Sequence, residues 1–238
     1  MNKKILISTG GSGGHVIPAT IIYKHLEHSF DVSMTSDFRG VKFLNKDEYN
    51  LKIFNVRPIS KNLLIMPFDF LLMIILIFKS ISFLRKNKIN ILISTGGYMS
   101  LPLCIGAKIL NIKLLLFEPN MVLGRSNKFF ISYCQKIFCY SNNVKKFPIK
   151  FKNKIKVIPA LLRKNFYDKR DSNNTLDTIN LLIIGGSQGA KIFDDLVKNA
   201  IIELSKKYKL KIYQQTSSIN FESFKKTYED KNIQCELF

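Results

Sequence analysis

The chain has 238 residues, of which 46% are apolar, and its 37 Lys and Arg against 17 Asp and Glu give a formal net charge of +20. This apolar content excludes a disordered chain and suffices for one or two packed domains. The charge indicates an anionic partner, such as a nucleic acid, an acidic membrane surface or a phosphorylated substrate, although a genome biased towards Lys, Asn and Ile codons would account for part of it.

Short apolar strands alternate with helices from the N-terminus to residue 159. Strands are predicted at 3–8, 30–36, 51–56, 89–95, 112–118, 135–140 and 154–159. Helices are predicted at 18–27, where Pro18 stands near the first turn, at 63–86 and at 101–110. Because strands that alternate with helices form parallel sheets, and continuously apolar strands are buried on both faces, the sequence predicts an α/β fold with a buried parallel sheet.

The predicted helix 63–86 resembles a membrane segment in composition. Its uninterrupted apolar run covers only 70–78, because Pro67 and Asp69 precede it and Lys79 follows it. A spanning helix needs about 20 apolar residues, so we expect a buried or interfacial helix rather than a span. The basic residues at its end suit docking on an anionic bilayer.

Residues 163–178 interrupt the alternation because they are polar, charged and rich in Asn, Asp and Ser, which is typical of a linker. The α/β pattern then restarts with a strand, a glycine turn and a helix over 179–208. The remaining elements are a strand at 210–217, a helix at 220–230 and a strand at 233–238. The sequence therefore predicts two similar domains, 1–162 and 179–238. Because three strands leave apolar surface bare, we expect the second domain to be incomplete.

Three glycine-rich turns each follow a predicted strand, namely Gly10–Gly14, Gly96–Gly97 and Gly185–Gly189. Parallel strands place such turns at one edge of the sheet, where ligands bind. A turn without side chains that leads into a helix presents free N–H groups and the positive end of the helix dipole, which bind phosphate. We expect the three turns to form a cleft for phosphorylated ligands between the domains, although each turn alone could be a plain strand–helix connection.

Other nucleotide and nucleic-acid motifs are absent or incomplete. No Walker loop occurs in the sequence. Gly11 and Gly13 begin a dinucleotide fingerprint, but Val16 replaces its third glycine; Asp37, which lies near the end of the second strand, keeps an NAD-binding oxidoreductase as a third-ranked alternative. The lysine-rich segment 145–156 has no accompanying nucleic-acid motif, so we predict a solvated basic face and no nucleic-acid partner.

Three polar residues are candidates for chemistry at this edge. His15 directly follows the first glycine turn, where a neutral imidazole could take a proton from an attacking hydroxyl. Glu118 ends a predicted strand, the place where sheet enzymes keep catalytic groups, and Asn120 can both donate and accept hydrogen bonds. The alternatives are a structural hydrogen bond for His15 and turn capping for Glu118 and Asn120.

Cysteine and histidine spacing predicts no metal centre and no cofactor. The four cysteines form no CxxC pair, and His25 and His28 share a helical face without a third ligand. Scattered free cysteines fit a reducing cytoplasm.

Four motifs together resemble the MurG family of glycosyltransferases. They are TGGSGGHVIPA (9–19), STGGYMSLP (94–102), FEPNMVLGRSNK (117–128) and IIGGSQGAKIFD (183–194). The resemblance implies a GT-B-like fold of two Rossmann-like domains, the first binding the acceptor. It also implies inverting transfer of N-acetylglucosamine from UDP-GlcNAc to lipid I, undecaprenyl-diphospho-N-acetylmuramoyl-pentapeptide, which gives lipid II. The base removes the proton of the acceptor 4-hydroxyl as UDP leaves, with no metal required.

The resemblance also assigns roles to individual residues. His15 matches a histidine proposed as the catalytic base, and Glu118 joins it as a catalytic candidate. The substrate-binding positions that match the family are Ser12, Gly13, Gly14, Asn120, Arg163 and Ser187. Here Arg163 follows Pro159-Ala160-Leu161-Leu162, where the family has a Gly-Asn-Pro stretch, so its geometry departs from the family pattern.

The family further implies a peripheral protein on the cytoplasmic face of the inner membrane, with an anionic membrane surface and cell-wall synthesis proteins as partners. Because family members continue beyond the position of Phe238, we expect weak donor binding and little turnover from these residues alone. The alternative is a non-catalytic, partner-dependent half of a split glycosyltransferase that binds a polyprenyl phosphate or a nucleotide sugar.

Overall fold

Two parallel sheets organise the computed structural model of the chain, which describes residues 3–57, 60, 62, 64–163, 178–185 and 190–238. The chain divides into two units, residues 1–168 and 169–238. The segment 164–177, which contains most of the predicted linker, lies outside the described residues, so the linker stays a prediction.

The first unit contains a seven-stranded sheet. Its strands, in chain order, are β1 (Lys4–Ser8), β2 (Asp31–Ser36), β3 (Leu51–Ile53), β4 (Ile91–Ser94), β5 (Lys113–Glu118), β6 (Lys136–Cys139) and β7 (Ile155–Val157). Their spatial order is β3-β2-β1-β4-β5-β6-β7, and every pair is parallel. Each strand lies within its predicted range, and the predicted parallel α/β architecture is confirmed.

The helices of this unit are α1 (Gly13–Leu26), α2 (Phe38–Val41), α3 (Met66–Lys86), α4 (Leu101–Ile109) and α5 (Arg125–Phe130). The predicted start of α1 was wrong, because the helix begins at Gly13 and Pro18 lies inside it. Pro18 lies in the second turn, where its missing N–H leaves the carbonyl of Gly14 without its usual helical donor. Gly13, Gly14 and His15 consequently form the first turn of α1.

Both faces of the first sheet are buried. Because side chains alternate along a strand, Leu6 points to one face while Ile5 and Ile7 point to the other. One apolar cluster joins the sheet to α3, α4 and α5, and includes Leu6, Leu92, Leu116, Leu84, Leu103 and Phe130. A second cluster joins the opposite face to α1, and includes Ile7, Met34, Ile93, Ala19 and Tyr23. These clusters fix the strands whose carboxyl ends carry the glycine turns.

Helix α3 lies mostly at the surface of the first unit. Only Ser80 and Leu84 among its residues are buried, and Phe68 and Phe78 are 68% and 67% exposed. Its C-terminal half packs on α4, where Gly106 brings the helices close enough that a methyl there would lie 3.3 Å from Leu84. Within the described part of the chain, α3 is the one helix long and apolar enough to cross a membrane.

The second unit contains a three-stranded parallel sheet. Its elements are β8 (Ile179–Ile183), α6 (Ala190–Ser205), β9 (Leu210–Gln214), α7 (Phe221–Asp230) and β10 (Gln234–Leu237), with strand order β10-β9-β8. Its core includes Ile212, Phe224 and Tyr228. Leu182 and Leu196 are 62% and 72% exposed, so this unit has the bare apolar surface expected of a small sheet.

Candidate phosphate-binding and catalytic site

The carboxyl edge of the first sheet brings together segments that are distant in sequence. β1 lies between β2 and β4, and β4 lies beside β5. The turns that follow these strands therefore meet at one edge. Three of them carry sequence-predicted site residues or glycines, namely 9–12, 95–97 and 119–124.

The first glycine turn leaves backbone donors free. Ser12 is the N-cap of α1 but makes no side-chain capping hydrogen bond. Its carbonyl accepts hydrogen bonds from the amides of His15 and Val16, at 3.1 and 3.2 Å. In the described residues, the amides of Gly13 and Gly14 have no hydrogen-bond partner. Such unpaired N–H groups at a helix N-terminus, together with the helix dipole, form a place where an anion binds.

Asp37 fixes the shape of this turn from beneath. Its carboxylate is 1% exposed, and its Oδ1 accepts the amides of Gly11 and Gly40, at 2.8 and 2.9 Å. Burial would raise the pKa of Asp37, but hydrogen bonds from these amides and from Arg39 outweigh burial and hold the pKa below its usual value. Because its carboxylate is buried and engaged by the protein, Asp37 is not placed to bind a ribose, which removes the main support for the NAD-binding alternative.

His15 is oriented by a backbone carbonyl of the neighbouring strand turn. Its Nδ1 lies 2.7 Å from the carbonyl oxygen of Thr95. A carbonyl only accepts, so Nδ1 carries a proton, and in the neutral form of the ring the lone pair is then on Nε2. The ring lies against Gly96 and Gly97, where added methyl groups would stand 3.4 and 3.6 Å from it. The structure thus fixes the orientation of the His15 ring and places the proton of this hydrogen bond on Nδ1.

Glu118 organises the turn after β5. It is 1% exposed, and its Oε1 accepts the backbone amide and the side-chain amide of Asn120, at 3.2 and 3.0 Å. Its Oε2 accepts the amide of Gly124 at 2.7 Å and Nδ2 of Asn127 at 3.0 Å. With four donors on its two oxygens, this carboxylate is arranged to position the turn, as in the turn-capping alternative, and the catalytic role of Glu118 stays a prediction.

Asn127 is a residue that sequence reasoning did not single out, although it stands in the third motif, 117–128. It is 2% exposed, and besides Glu118 its Nδ2 donates to the carbonyl of Phe117 at 3.0 Å. A methyl at Gly96 would lie 3.3 Å from the same nitrogen, so Asn127 links the β5 turn to the turn that supports His15. Its Oδ1 is buried without a hydrogen-bond partner in the described residues.

Arg163 does not lie at this edge. Arg163 lines a cavity of about 460 Å³ together with Thr20, His25 and Tyr49, along the later turns of α1. Ser187 lies outside the described residues. Their substrate-binding roles stay predictions.

The second unit has its own buried carboxylate, Asp194 on α6. It is 2% exposed and accepts hydrogen bonds from the hydroxyl of Thr216 at 2.9 Å and the side-chain amide of Asn220 at 3.0 Å. Burial alone would raise the pKa of Asp194. The hydrogen bonds from Asn220, Thr216 and Ser217 outweigh burial, so the pKa lies below its ordinary value. Asp194 thus fixes the turn after β9. No group of His, Cys, Asp and Glu in the described ranges is placed to hold a metal ion.

Both units match descriptions of known glycosyltransferase domains. Residues 5–139 match the glycosyltransferase family 28 N-terminal domain, and residues 180–238 match the glycosyltransferase family 28 C-terminal domain. The first match lies within the first unit and the second within the second unit.

Curated relatives and a solved structure agree with these matches. A UDP-N-acetylglucosamine--N-acetylmuramyl-(pentapeptide) pyrophosphoryl-undecaprenol N-acetylglucosamine transferase of Pelagibacter ubique (strain HTCC1062) is 91% identical over 238 residues, which are 100% of this chain and 67% of the relative. The transferase of the same name from Rickettsia bellii (strain RML369-C) is 31% identical over 99% of this chain and 67% of its own length. The crystal structure of Acinetobacter baumannii MurG superposes with a TM-score of 0.76 at 24% identity, over 99% of this chain and 68% of that one, which shows the shared fold. The chain therefore spans about two thirds of the length of these proteins.

Proposed function

We propose that the carboxyl edge of the first sheet binds the acceptor of a glycosyl transfer, since the chain belongs to the MurG family of hexosyltransferases. These enzymes move N-acetylglucosamine from UDP-GlcNAc to lipid I in peptidoglycan synthesis. The observation that carries this proposal is the pair of unpartnered amides at Gly13 and Gly14, directly followed by His15, whose Nδ1 is held by the carbonyl of Thr95. An anion site and a base thus stand side by side on α1.

The amides of Gly13 and Gly14, with the hydroxyl of Ser12, bind a diphosphate oxygen of lipid I in this proposal. An anion at a helix N-terminus is stabilised by the dipole and by direct hydrogen bonds, without a cationic side chain at the same point. Asp37 supports this geometry because it occupies the Gly11 amide and so fixes the turn that precedes the free donors.

His15 acts as the general base. Its Nε2 takes the proton of the acceptor 4-hydroxyl, the hydroxyl oxygen attacks the anomeric carbon of N-acetylglucosamine, and the bond from that carbon to UDP breaks with inversion. When Nε2 takes this proton, the ring becomes an imidazolium. Its Nδ1–H still donates to the carbonyl of Thr95, and this hydrogen bond stabilises the positive charge. Glu118 is a positioning residue in this scheme, because both its oxygens already accept hydrogen bonds from the turn, and Asn120 is the residue it directs towards the sugar.

Ser187 and Arg163 complete the proposal on the donor side. Ser187 stands in the GGSQGA sequence, whose turn is proposed to meet the diphosphate of UDP-GlcNAc. Arg163 lies at the end of the first unit, where the predicted linker begins. Both assignments rest on the motif match. The alternative of a non-catalytic binding half has no support, because the curated relatives are named as transferases.

The membrane contact is assigned to α3. Its exposed phenylalanines and the basic residues of its last turn, Arg85 and Lys86, form one surface element with apolar and cationic parts. Such a helix lies in the interface of an anionic bilayer, with its apolar face in the acyl boundary and its cations at the head groups. This supports peripheral attachment at the cytoplasmic face of the inner membrane, where the proposal places cell-wall synthesis proteins as partners.

The base assignment is tested by His15→Asn in a chain that joins these 238 residues to the C-terminal third of the Pelagibacter ubique relative. Asparagine keeps a donor for the carbonyl of Thr95 but has no basic nitrogen. We expect kcat to fall by about 10²- to 10⁴-fold while KM for a lipid I analogue changes little. His25→Asn, an exposed histidine further along α1, is the control and should retain full activity. A His15→Asn variant with near-normal kcat would refute the base assignment.

A further inference from the structure

Arg39 is a cation fixed beside the first glycine turn. It belongs to the short helix α2, and its Nε and Nη2 donate to Oδ2 of Asp37 at 2.8 and 2.7 Å. The same carboxylate uses its other oxygen to accept the amide of Gly11. One buried group therefore sets the position of both the turn and the guanidinium.

The backbone of α2 is fixed to the same turn. A methyl at Gly40 would lie 2.8 Å from the Cα of Gly10, so no side chain larger than hydrogen separates the two segments. A methyl at Gly11 would stand 4.0 Å from Nη2 of Arg39. The guanidinium of Arg39 therefore lies beside the turn because the close packing of α2 on Gly10 places it there, and not only because its own flexible side chain can reach that point.

Arg39 has N–H groups that its ion pair with Asp37 does not use. A guanidinium carries five N–H groups, and Asp37 engages two of its nitrogens. Its side chain is 52% exposed, and in the part of the chain that the structure describes the remaining N–H groups have no partner. Arginine is suited to phosphate because its planar fork offers parallel donors.

We propose that Arg39, positioned by Asp37, binds a second oxygen of the diphosphate that the amides of Gly13 and Gly14 receive. The helix terminus and the guanidinium then bind the two phosphoryl groups from adjacent sides of the turn. The inference rests on the proposed function, because it places the acceptor diphosphate at this turn. It gives the enzyme a means to distinguish a diphosphate-linked acceptor from a neutral muramoyl peptide.

The test measures binding by titration calorimetry, using the 238-residue chain and a short-prenyl analogue of lipid I. The same muramoyl pentapeptide without its diphosphate is the second ligand. We expect Arg39→Met to weaken binding of the diphosphate analogue by about 10- to 100-fold, the usual range for one hydrogen bond to a charged group, and to leave the peptide ligand unchanged. Arg39→Lys keeps a charge beside Asp37 without the fork, and should give a smaller loss.

Lys42→Met is the matched control, since it removes an equal charge from an exposed residue three positions away. It should change the affinity by less than about twofold. Thermal unfolding of each variant separates a folding defect from a lost contact, and the unchanged peptide affinity does so independently. If Arg39→Met binds the diphosphate analogue as tightly as the parent chain, the role of Arg39 is refuted and the acceptor site stands. If the parent chain shows no preference for the diphosphate analogue, the acceptor site itself is refuted, and Arg39 with it.

Discussion

Oε2 of Glu118 accepts the amide of Gly124 at 2.7 Å, across a turn in which a methyl at Gly124 would stand 3.1 Å from the same oxygen. The strand β5 ends at this glutamate, and α5 begins directly after this glycine. The hydrogen bond therefore joins the end of a strand to the start of the next helix. It makes the carboxylate a structural part of the site.

Glu118→Gln should destabilise the first unit. The substitution replaces one carboxylate oxygen by an NH₂ group, which cannot accept a hydrogen bond. In either orientation of the amide, the NH₂ group faces two N–H donors that an oxygen of Glu118 accepted, and these buried donors are left unpaired. We expect the free energy of unfolding to fall by about 1–3 kcal/mol, measured by urea denaturation. Glu222→Gln, at an exposed position on α7, should stay within about 0.5 kcal/mol of the parent chain. Equal stabilities of the two variants would contradict the positioning role.

Gly97→Ala should also be destabilising, for a backbone reason. Gly97 has φ 81° and ψ 165°, a region that is essentially confined to glycine and costs other residues about 1–3 kcal/mol, and the new methyl would stand 3.6 Å from the ring of His15. Gly14→Ala is the matched variant, because a methyl there meets nothing closer than Ser12 Oγ at 3.8 Å. Within the first turn of α1, it should be neutral or stabilising by up to about 1 kcal/mol in thermal unfolding. The opposite order of stabilities would argue against this backbone geometry.

Asp37 makes the stability of the first unit depend on acid pH. Because the folded chain lowers the pKa of Asp37, its carboxylate stabilises the fold above the unfolded pKa of about 4, and this contribution disappears as the pH falls through the lower folded value. Asp37→Asn should reduce stability at neutral pH and flatten the decline of stability below about pH 4. Urea midpoints between neutral and acid pH measure both effects. Asp230→Asn, an exposed carboxylate, should leave the decline as it is in the parent chain.

Charge reversal on α3 should release the chain from anionic vesicles. In flotation with phosphatidylglycerol-containing liposomes, we expect Arg85→Glu with Lys86→Glu to reduce the bound fraction several-fold, and Phe78→Asp to reduce it through its exposed ring. Lys225→Glu with Lys226→Glu changes the net charge by the same amount on exposed residues of α7. If this control releases the chain as well as the α3 variant does, the contact is a net-charge effect and α3 is not the docking element.

The sheet was predictable from the sequence because its strands are short, apolar and bounded by glycine or polar residues. The start of α1 was not predictable in the same way, because proline at the first turn is the commoner arrangement and Pro18 instead lies inside the helix. The last two glycines of the turn, Gly13 and Gly14, belong to the first helical turn. That difference brings His15 onto the helix.

Among the candidate site residues, His15, Glu118 and Asn120 were found from their positions after glycine turns and strand ends. Their hydrogen-bond partners were not found, because the carbonyl of Thr95 and the amide of Gly124 carry no side-chain signal. Arg39 escaped notice for a similar reason. The role proposed for Arg39 depends on its position beside the first glycine turn in the folded chain, and no motif in its own segment indicates that position.

The contact of the His15 ring with Gly96 and Gly97 has an evolutionary consequence. A methyl at either glycine would already touch the imidazole, at 3.4 and 3.6 Å, and both glycines have positive φ, so we expect a homologue that loses one of them to shift the histidine as well. The three positions should therefore change as a group among distant homologues. A lineage that replaced all three residues would lack this base, and another group would have to take the proton of the acceptor hydroxyl.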